Sequence, residues 1–143
     1  MNNTMKYIGK KEVQAERMNE YEAVQLGYAR PNEDNHEWRE GYHVIYPDGY
    51  HSWSPFNVFK SAYKLSETFL DRLKIEAEEL AEKQSKLNNF IGTEKFKELP
   101  WEQQRLIEAQ FGAMLSYLTI VQLRIKLSSP KYNCGEDQCN CAK

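Results

Sequence analysis

Cysteine is scarce and badly placed for a framework. Only Cys134, Cys139 and Cys141 occur, all within the last ten of 143 residues. An odd set confined to one end cannot hold a fold together by disulfides. Three thiols with no histidine nearby also fall short of the four ligands that zinc usually takes. Residues 128–143 are therefore expected to form a flexible tail. Glycine is sparse too: seven residues, in neither G-x-G-x-x-G nor G-x-x-x-x-G-K-[ST] spacing. That disfavours dinucleotide-binding and P-loop enzymes. No G-x-S-x-G elbow exists, and His36, His43 and His51 stand in no triad context. His43 and His51 sit near one turn and could approach each other, with Asp48 and His36 close in sequence. Spacing alone gives no ligand geometry there, and strand-face histidines are the plainer reading. The sequence thus implies no catalytic residues, no metal and no cofactor.

An excess of one charge is also missing. The formal net charge is −2, with eight basic and nine acidic residues in 1–65 and nine and ten in 66–127. A binder of long nucleic acid needs a basic surface to displace counterions from many phosphates, so that partner is excluded. A small anionic ligand stays open, because one or two arginines suffice for it. Long apolar runs are absent as well. The longest charge-free stretch, residues 109–123, holds Gln110, Ser116, Thr119 and Gln122, and falls short of the roughly 20 residues of a membrane span. A buried helix, and no membrane, is the expectation. Residues 1–11 are polar and basic, without the apolar stretch of a signal peptide, which points to the cytoplasm.

What is present is enough for a core: 41% hydrophobic residues, with 13% aromatic. Three zones follow from the patterning. In 5–65, residues 6–15 read as a strand, bent at Gly9. Residues 19–26 read as a short helix closed by Gly27, and 31–35 as a loop. Residues 41–54 read as a β-hairpin turning on Pro47-Asp48-Gly49, where proline presets φ and aspartate and glycine tolerate tight geometry. Ser54 and Pro55 then read as cap and first turn of a helix that faces Phe56, Phe59 and Tyr63 inward.

In 66–127, Phe69, Leu73, Ala77, Leu80, Gln84, Leu87 and Ile91 follow the spacing of a helix seam. Gly92-Thr93 breaks that helix, and a second restarts with Pro100 in its first turn. This second helix is apolar on more than one face, from Leu106 to Ile125, which one partner helix cannot cover. The short connection makes the pair an antiparallel hairpin. Its leftover face predicts packing on the β zone and on other subunits. The fold class expected is α+β: a small antiparallel β domain, then a long helical hairpin, in a homo-oligomer.

Several residues carry two readings. Arg124 either complements a helix C-terminus or offers phosphate a rigid fork. Lys83 and Lys86 either pair with Glu79 and Glu82 on a solvated face or meet an anion. Phe96, in the turn, either caps the hairpin core or gives a base a stacking platform. Tyr50 and Trp53 share that ambiguity.

The order Arg72-Leu73, Glu79-Leu80, Lys83, Lys86-Leu87-Asn88-Asn89-Phe90-Ile91, Phe96-Lys97-Glu98-Leu99-Pro100, Glu102-Gln103, Leu106-Ile107, Gln110-Phe111-Gly112-Ala113-Met114, Tyr117 and Arg124-Ile125 resembles a helical hairpin of phage counter-defence proteins. Two families share it: the anti-CBASS cyclic-oligonucleotide sponges and a Thoeris anti-defence sponge family. Ahead of it, Lys6-Tyr7-Ile8-Gly9-Lys10-Lys11, Gln14-Ala15-Glu16-Arg17-Met18, Gly41-Tyr42 through Gly49-Tyr50 and Ser52-Trp53-Ser54-Pro55 resemble a small domain common in phage proteins, which favours the Thoeris type. The resemblance implies a symmetric dimer or hexamer in the cytoplasm of an infected bacterial host. It implies capture of cyclic ADP-ribose isomers without cleavage, and in some relatives of cyclic di- or trinucleotides at separate sites. It makes Arg124 a phosphate contact, Phe96 a stacking residue and Lys86 the first-helix lysine of the dinucleotide sponges. It places Arg39, Met18 and Arg105 near the ligand. The competing readings are an anti-CBASS sponge, a phage interaction scaffold using the spare helix face, and a hydrolase of the signal.

Overall fold

A computed structural model describes residues 3–31, 33 and 37–130. His36, most of the expected loop at 31–35 and the three cysteines lie outside the described residues. The chain divides into two compact units, Met1–Lys64 and Leu65–Lys143.

The first unit is built on a three-stranded antiparallel sheet in the order β1-β2-β3, with β1 at Gln14–Arg17, β2 at Gly41–Ile45 and β3 at His51–Pro55. The hairpin forms where the turn residues demand it: Gly49 has φ +87°, and the Asp48 side chain accepts from the Tyr50 N–H at 3.0 Å. The expected strand at 6–15 is corrected to β1. Gln14 already faces Ile45, the last residue of β2, so the chain before it has no strand to pair with. Helix α1, Glu20–Gln25, is capped by the Asn19 side chain and ends at Gly27 with φ +81°, the left-handed geometry glycine adopts without penalty. Helix α2, Phe56–Ala62, follows β3 directly. Its N-cap is Pro55 without a side-chain hydrogen bond, and Ser54 lies inside β3. The expected Ser54 cap is thus displaced by one residue, because Ser54 is spent on pairing with Tyr42.

Side chains of β2 alternate between two faces. On one, Tyr42 stacks with Phe59 at 4.1 Å and Phe56 at 5.9 Å, and Phe59 stacks with Tyr63. On the other lies His43, beneath Tyr28. Gly41 is required for contact rather than for φ. A Cβ there would strike the Ser54 carbonyl and come within 2.6 Å of the Trp53 ring. Gly41→Ala is expected to destabilise the sheet unit by about 1–3 kcal/mol, read as a lower midpoint in urea with an unchanged hairpin unit.

The second unit is an antiparallel helical hairpin: α3 at Phe69–Ile91, a one-turn α4 at Glu94–Lys97, and α5 at Trp101–Ser128. Leu73, Ala77 and Leu80 pack against Leu118 and Val121, with Ala81, Met114 and Ile125 at the margin. Phe69, expected at the head of the seam, is exposed, because the core starts one turn later at Leu73. Pro100 is the N-cap of α5 rather than a first-turn residue. The seam of α5 that meets α3 is Gln104, Ile107, Phe111, Met114, Leu118, Val121 and Ile125, all buried or half-buried. By length and composition alone α5 could cross a membrane.

A capping box starts α3. Thr68 N–H donates to the Asp71 carboxylate at 3.0 Å, and Asp71 N–H donates to the Thr68 hydroxyl at 3.1 Å. The Thr68 backbone bond, chiefly, holds the Asp71 carboxyl below the ordinary carboxylate range. Folding lowers this pKa, so the cap contributes fully above the unfolded value near 4 and is lost as pH falls through the folded one. Acidification below about pH 4 should fray the first turn of α3, seen as faster amide exchange there. Asp71→Asn should remove that pH dependence.

Candidate functional site

The hairpin unit carries an open groove of about 340 Å³, lined by Lys83, Lys86, Leu87, Phe90, Gln110 and Met114. It lies toward the turn end, where α3 finishes and α5 begins. Its floor is apolar, one wall is cationic, and Gln110 can both donate and accept. Lys86 is bound to Glu82 at 2.9 Å across one helical turn. Both groups are exposed, so that pair is worth little and leaves the ammonium available to an anion. Lys83 has no ion pair among the described residues. An aromatic ring over Leu87, Phe90 and Met114 with a phosphate at the lysines would match this lining.

The turn is firmly built. Thr93 caps α4, its hydroxyl donating to the Phe90 carbonyl at 2.6 Å, and the Gln104 amide donates to the carbonyls of Lys97 and Leu99 at 3.1 and 2.8 Å. Phe96 is only 5% exposed and meets Phe90 edge-on at 6.0 Å. In this subunit the ring caps the core, and a base could stack on it only after it is uncovered.

Arg124 lies at the other end. Its guanidinium sits 5.5 Å from the Phe69 ring and has no carboxylate partner among the described residues. It is an exposed fork held over an aromatic, suited to phosphate oxygens. From Trp101 to Arg124, α5 rises about 35 Å. Phe96 therefore cannot share one small ligand with Arg124 of the same subunit, whereas Lys86, beside Gln110 and Met114, lies about 15–21 Å from Arg124 along the helix. Arg105 is exposed and pairs with Glu108 at 3.6 Å on its own helix.

The sheet unit gathers the remaining sequence candidates. Arg39 grips Glu20, with Nε to Oε2 at 3.2 Å and Nη2 to Oε1 at 2.9 Å, and lies 5.4 Å from the Trp53 ring. The hydrogen bond to Glu20 raises the Arg39 pKa above its already high value. Glu20 is 3% exposed, so Arg39 neutralises a buried carboxylate. Trp53 Nε1 donates to the Met18 carbonyl at 2.8 Å. Met18, Arg39 and Trp53 thus meet, held by internal bonds. Tyr50 is exposed, its ring 6.0 Å from Tyr46.

His43 and His51 do come together. His43 Nε2 lies 2.8 Å from His51 Nδ1, and His43 Nδ1 lies 2.9 Å from the Glu16 carboxylate. Tyr28 stacks on both rings, at 4.1 and 5.1 Å. Sequence reasoning missed Glu16 and Tyr28, which reach the pair from β1 and from the segment after α1. It likewise did not single out Gln110, Met114 and Leu87 as lining; their helical register was the available signal. Among the described residues no group of three or more His, Cys, Asp or Glu is arranged to hold a metal.

With this geometry in place, comparison with known proteins adds one finding. Residues 67–127 match the Sequestin family. The Sequestin match is consistent with a sequestering family. It spans α3, α4 and all but the last residue of α5, and so contains the whole groove, Phe96, Arg105 and Arg124. Met18, Arg39 and the histidine pair lie outside the Sequestin stretch. No curated protein and no solved structure matches the chain.

Proposed function

We propose that this protein is a phage anti-defence sponge that binds a cyclic ADP-ribose isomer, the Thoeris signal, and withholds it without cleavage. The observation that carries the reading is the hairpin itself: the Sequestin match falls on a unit with a lysine-walled apolar groove toward one end and, at the other, an exposed arginine fork with no carboxylate partner among the described residues. Cyclic ADP-ribose offers a flat base and a pyrophosphate, the two chemistries these features suit. Capture requires no acid–base pair or nucleophile, in keeping with a non-enzymatic role. The working form is a homo-oligomer in the cytoplasm of the infected host, with α5 in water and its spare face against protein.

A second reading, capture of cyclic di- or trinucleotides at separate sites as in the anti-CBASS sponges, is favoured by the separation of Lys83 and Lys86 from Arg124 along the hairpin. One experiment tests both. Purified protein is loaded with a cyclic ADP-ribose isomer or a cyclic oligonucleotide, freed of unbound ligand, and heated. The eluate is expected to hold intact cyclic ADP-ribose. Linearised or hydrolysed ligand would make the protein an enzyme. Retention of cyclic oligonucleotide alone would leave the second reading standing.

A further inference from the structure

The sheet unit holds a second group of chemistry-bearing side chains, apart from the hairpin. His43 on β2 faces Trp53 and His51 on β3 faces Ile45, so the two histidines are diagonal neighbours on one face of the sheet. Their rings meet edge to edge, with His43 Nε2 2.8 Å from His51 Nδ1 and the planes 15° apart. The Glu16 carboxylate reaches the other nitrogen of His43 from β1, at 2.9 Å. An ionised carboxylate only accepts, so His43 carries its proton on Nδ1 and aims the lone pair of Nε2 at His51. Tyr28 lies nearly parallel over both rings. His43 is buried, whereas His51 is open to solvent. The spacing gave no ligand geometry here; the strand pairing supplies it.

We propose that Glu16, His43 and His51 form a binding site for a divalent cation of the nickel, copper and zinc class, held by the two imidazole nitrogens that face each other. Imidazole suits these ions, and its nitrogen binds them at about 2.0–2.1 Å. Two such bonds to one ion set their nitrogens roughly 2.8 Å apart at a right angle and roughly 3.3 Å apart at the tetrahedral angle. The observed 2.8 Å is therefore already the spacing of neighbouring ligands on one ion. The strands need not part. Each ring has only to swing within its own plane, a motion that the flat stack under Tyr28 permits. His51 frees Nδ1 by carrying its proton on Nε2 instead, and its exposure lets water receive that N–H.

Glu16 gives the pair the outer partner of a metal-bound histidine. Such a histidine usually donates its second N–H to a carboxylate, which fixes the tautomer and raises the basicity of the ligating nitrogen. Any acceptor would satisfy a buried N–H; an ionised carboxylate also strengthens Nε2 as a donor to a cation. Among the described residues no third His, Cys, Asp or Glu joins the group. Water fills the remaining positions, which makes the site open and exchangeable rather than a closed structural one. It lies outside residues 67–127 and does not depend on the sponge reading.

Zinc and nickel chlorides, titrated into full-length protein at neutral pH, test the site. Cys134, Cys139 and Cys141 are changed to serine so that thiols do not compete. Calorimetry should show one ion per chain. In NMR spectra zinc should shift, and nickel broaden, the ring signals of His43 and His51. Glu16→Gln should weaken zinc by roughly 10- to 100-fold. His51→Ala removes one of the two side-chain ligands and should weaken it further. Both side chains are exposed, so both variants should fold, which circular dichroism checks. No uptake at millimolar zinc would overturn the proposal, as would uptake that His51→Ala leaves unchanged. Equal affinity in Glu16→Gln would overturn the part given to the carboxylate. A hydrogen-bond chain with a structural role alone predicts a lower melting temperature in His51→Ala and no cation taken up by its parent.

Discussion

Arg124→Ala is expected to weaken capture of a cyclic ADP-ribose isomer by roughly 10- to 150-fold while the protein stays folded. A charge-assisted hydrogen bond to phosphate is worth about 1.5–3 kcal/mol, which is that range of affinity. Folding should be untouched because the guanidinium is exposed and its one partner among the described residues is the Phe69 ring. Isothermal titration reads the affinity, and circular dichroism reads the fold. Arg124→Lys should recover only part of the loss, since a point charge replaces a planar fork. Unchanged affinity in Arg124→Ala would remove the arginine from the site. This outcome also separates a sponge from an interaction scaffold, whose protein partner should stay bound.

Leu73→Ala carries the largest expected effect on stability, about 2–5 kcal/mol. Leu73 is 3% exposed and lies in the cluster that joins α3 to Leu118 and Val121 of α5. The hairpin core is small, so few other contacts can absorb a cavity there. Leu123→Ala provides the contrast. Leu123 is 53% exposed, so within one subunit its loss should cost well under 1 kcal/mol. Its cost should appear instead as a melting temperature that falls with dilution, as expected when assembly supports the fold. Equal losses for the two variants at all concentrations would mean that the exposed apolar face of α5 is not an interface.

Much of this architecture is legible in the residues. Pro47-Asp48-Gly49 specifies a turn, and the hairpin around it is there. Asn19 and Gly27 bracket α1 because each satisfies a terminal backbone requirement of its own. The seam of α3 and the excess apolar surface of α5 follow from periodicity alone. The failures share a physical cause: they concern partners distant in sequence. Residues 6–13 have strand composition but no backbone facing them, because β2 ends at Ile45. Ser54 has the chemistry of a cap, yet its pairing with Tyr42 fixes it in the sheet.

The site divides along the same line. Groove residues Lys83, Lys86, Leu87 and Phe90 sit on one helix, and their register was readable. Glu20 gave no local sign that Arg39 would neutralise it. Nor did Glu16 announce its contact with His43. Phe96 shows how one residue can satisfy the plainer reading: the hairpin needs a cap at its turn, and Phe96 fills that place against Phe90. The separation of Arg124 from the groove is legible too, since an α-helix rises about 1.5 Å per residue.

Native mass spectrometry of the full-length protein, with and without a cyclic ADP-ribose isomer, tests the central claim most directly. The account predicts an even-numbered oligomer that gains the mass of intact ligand, two molecules for each pair of subunits. A monomer that takes up no ligand, or a complex that carries a cleaved product, would contradict it.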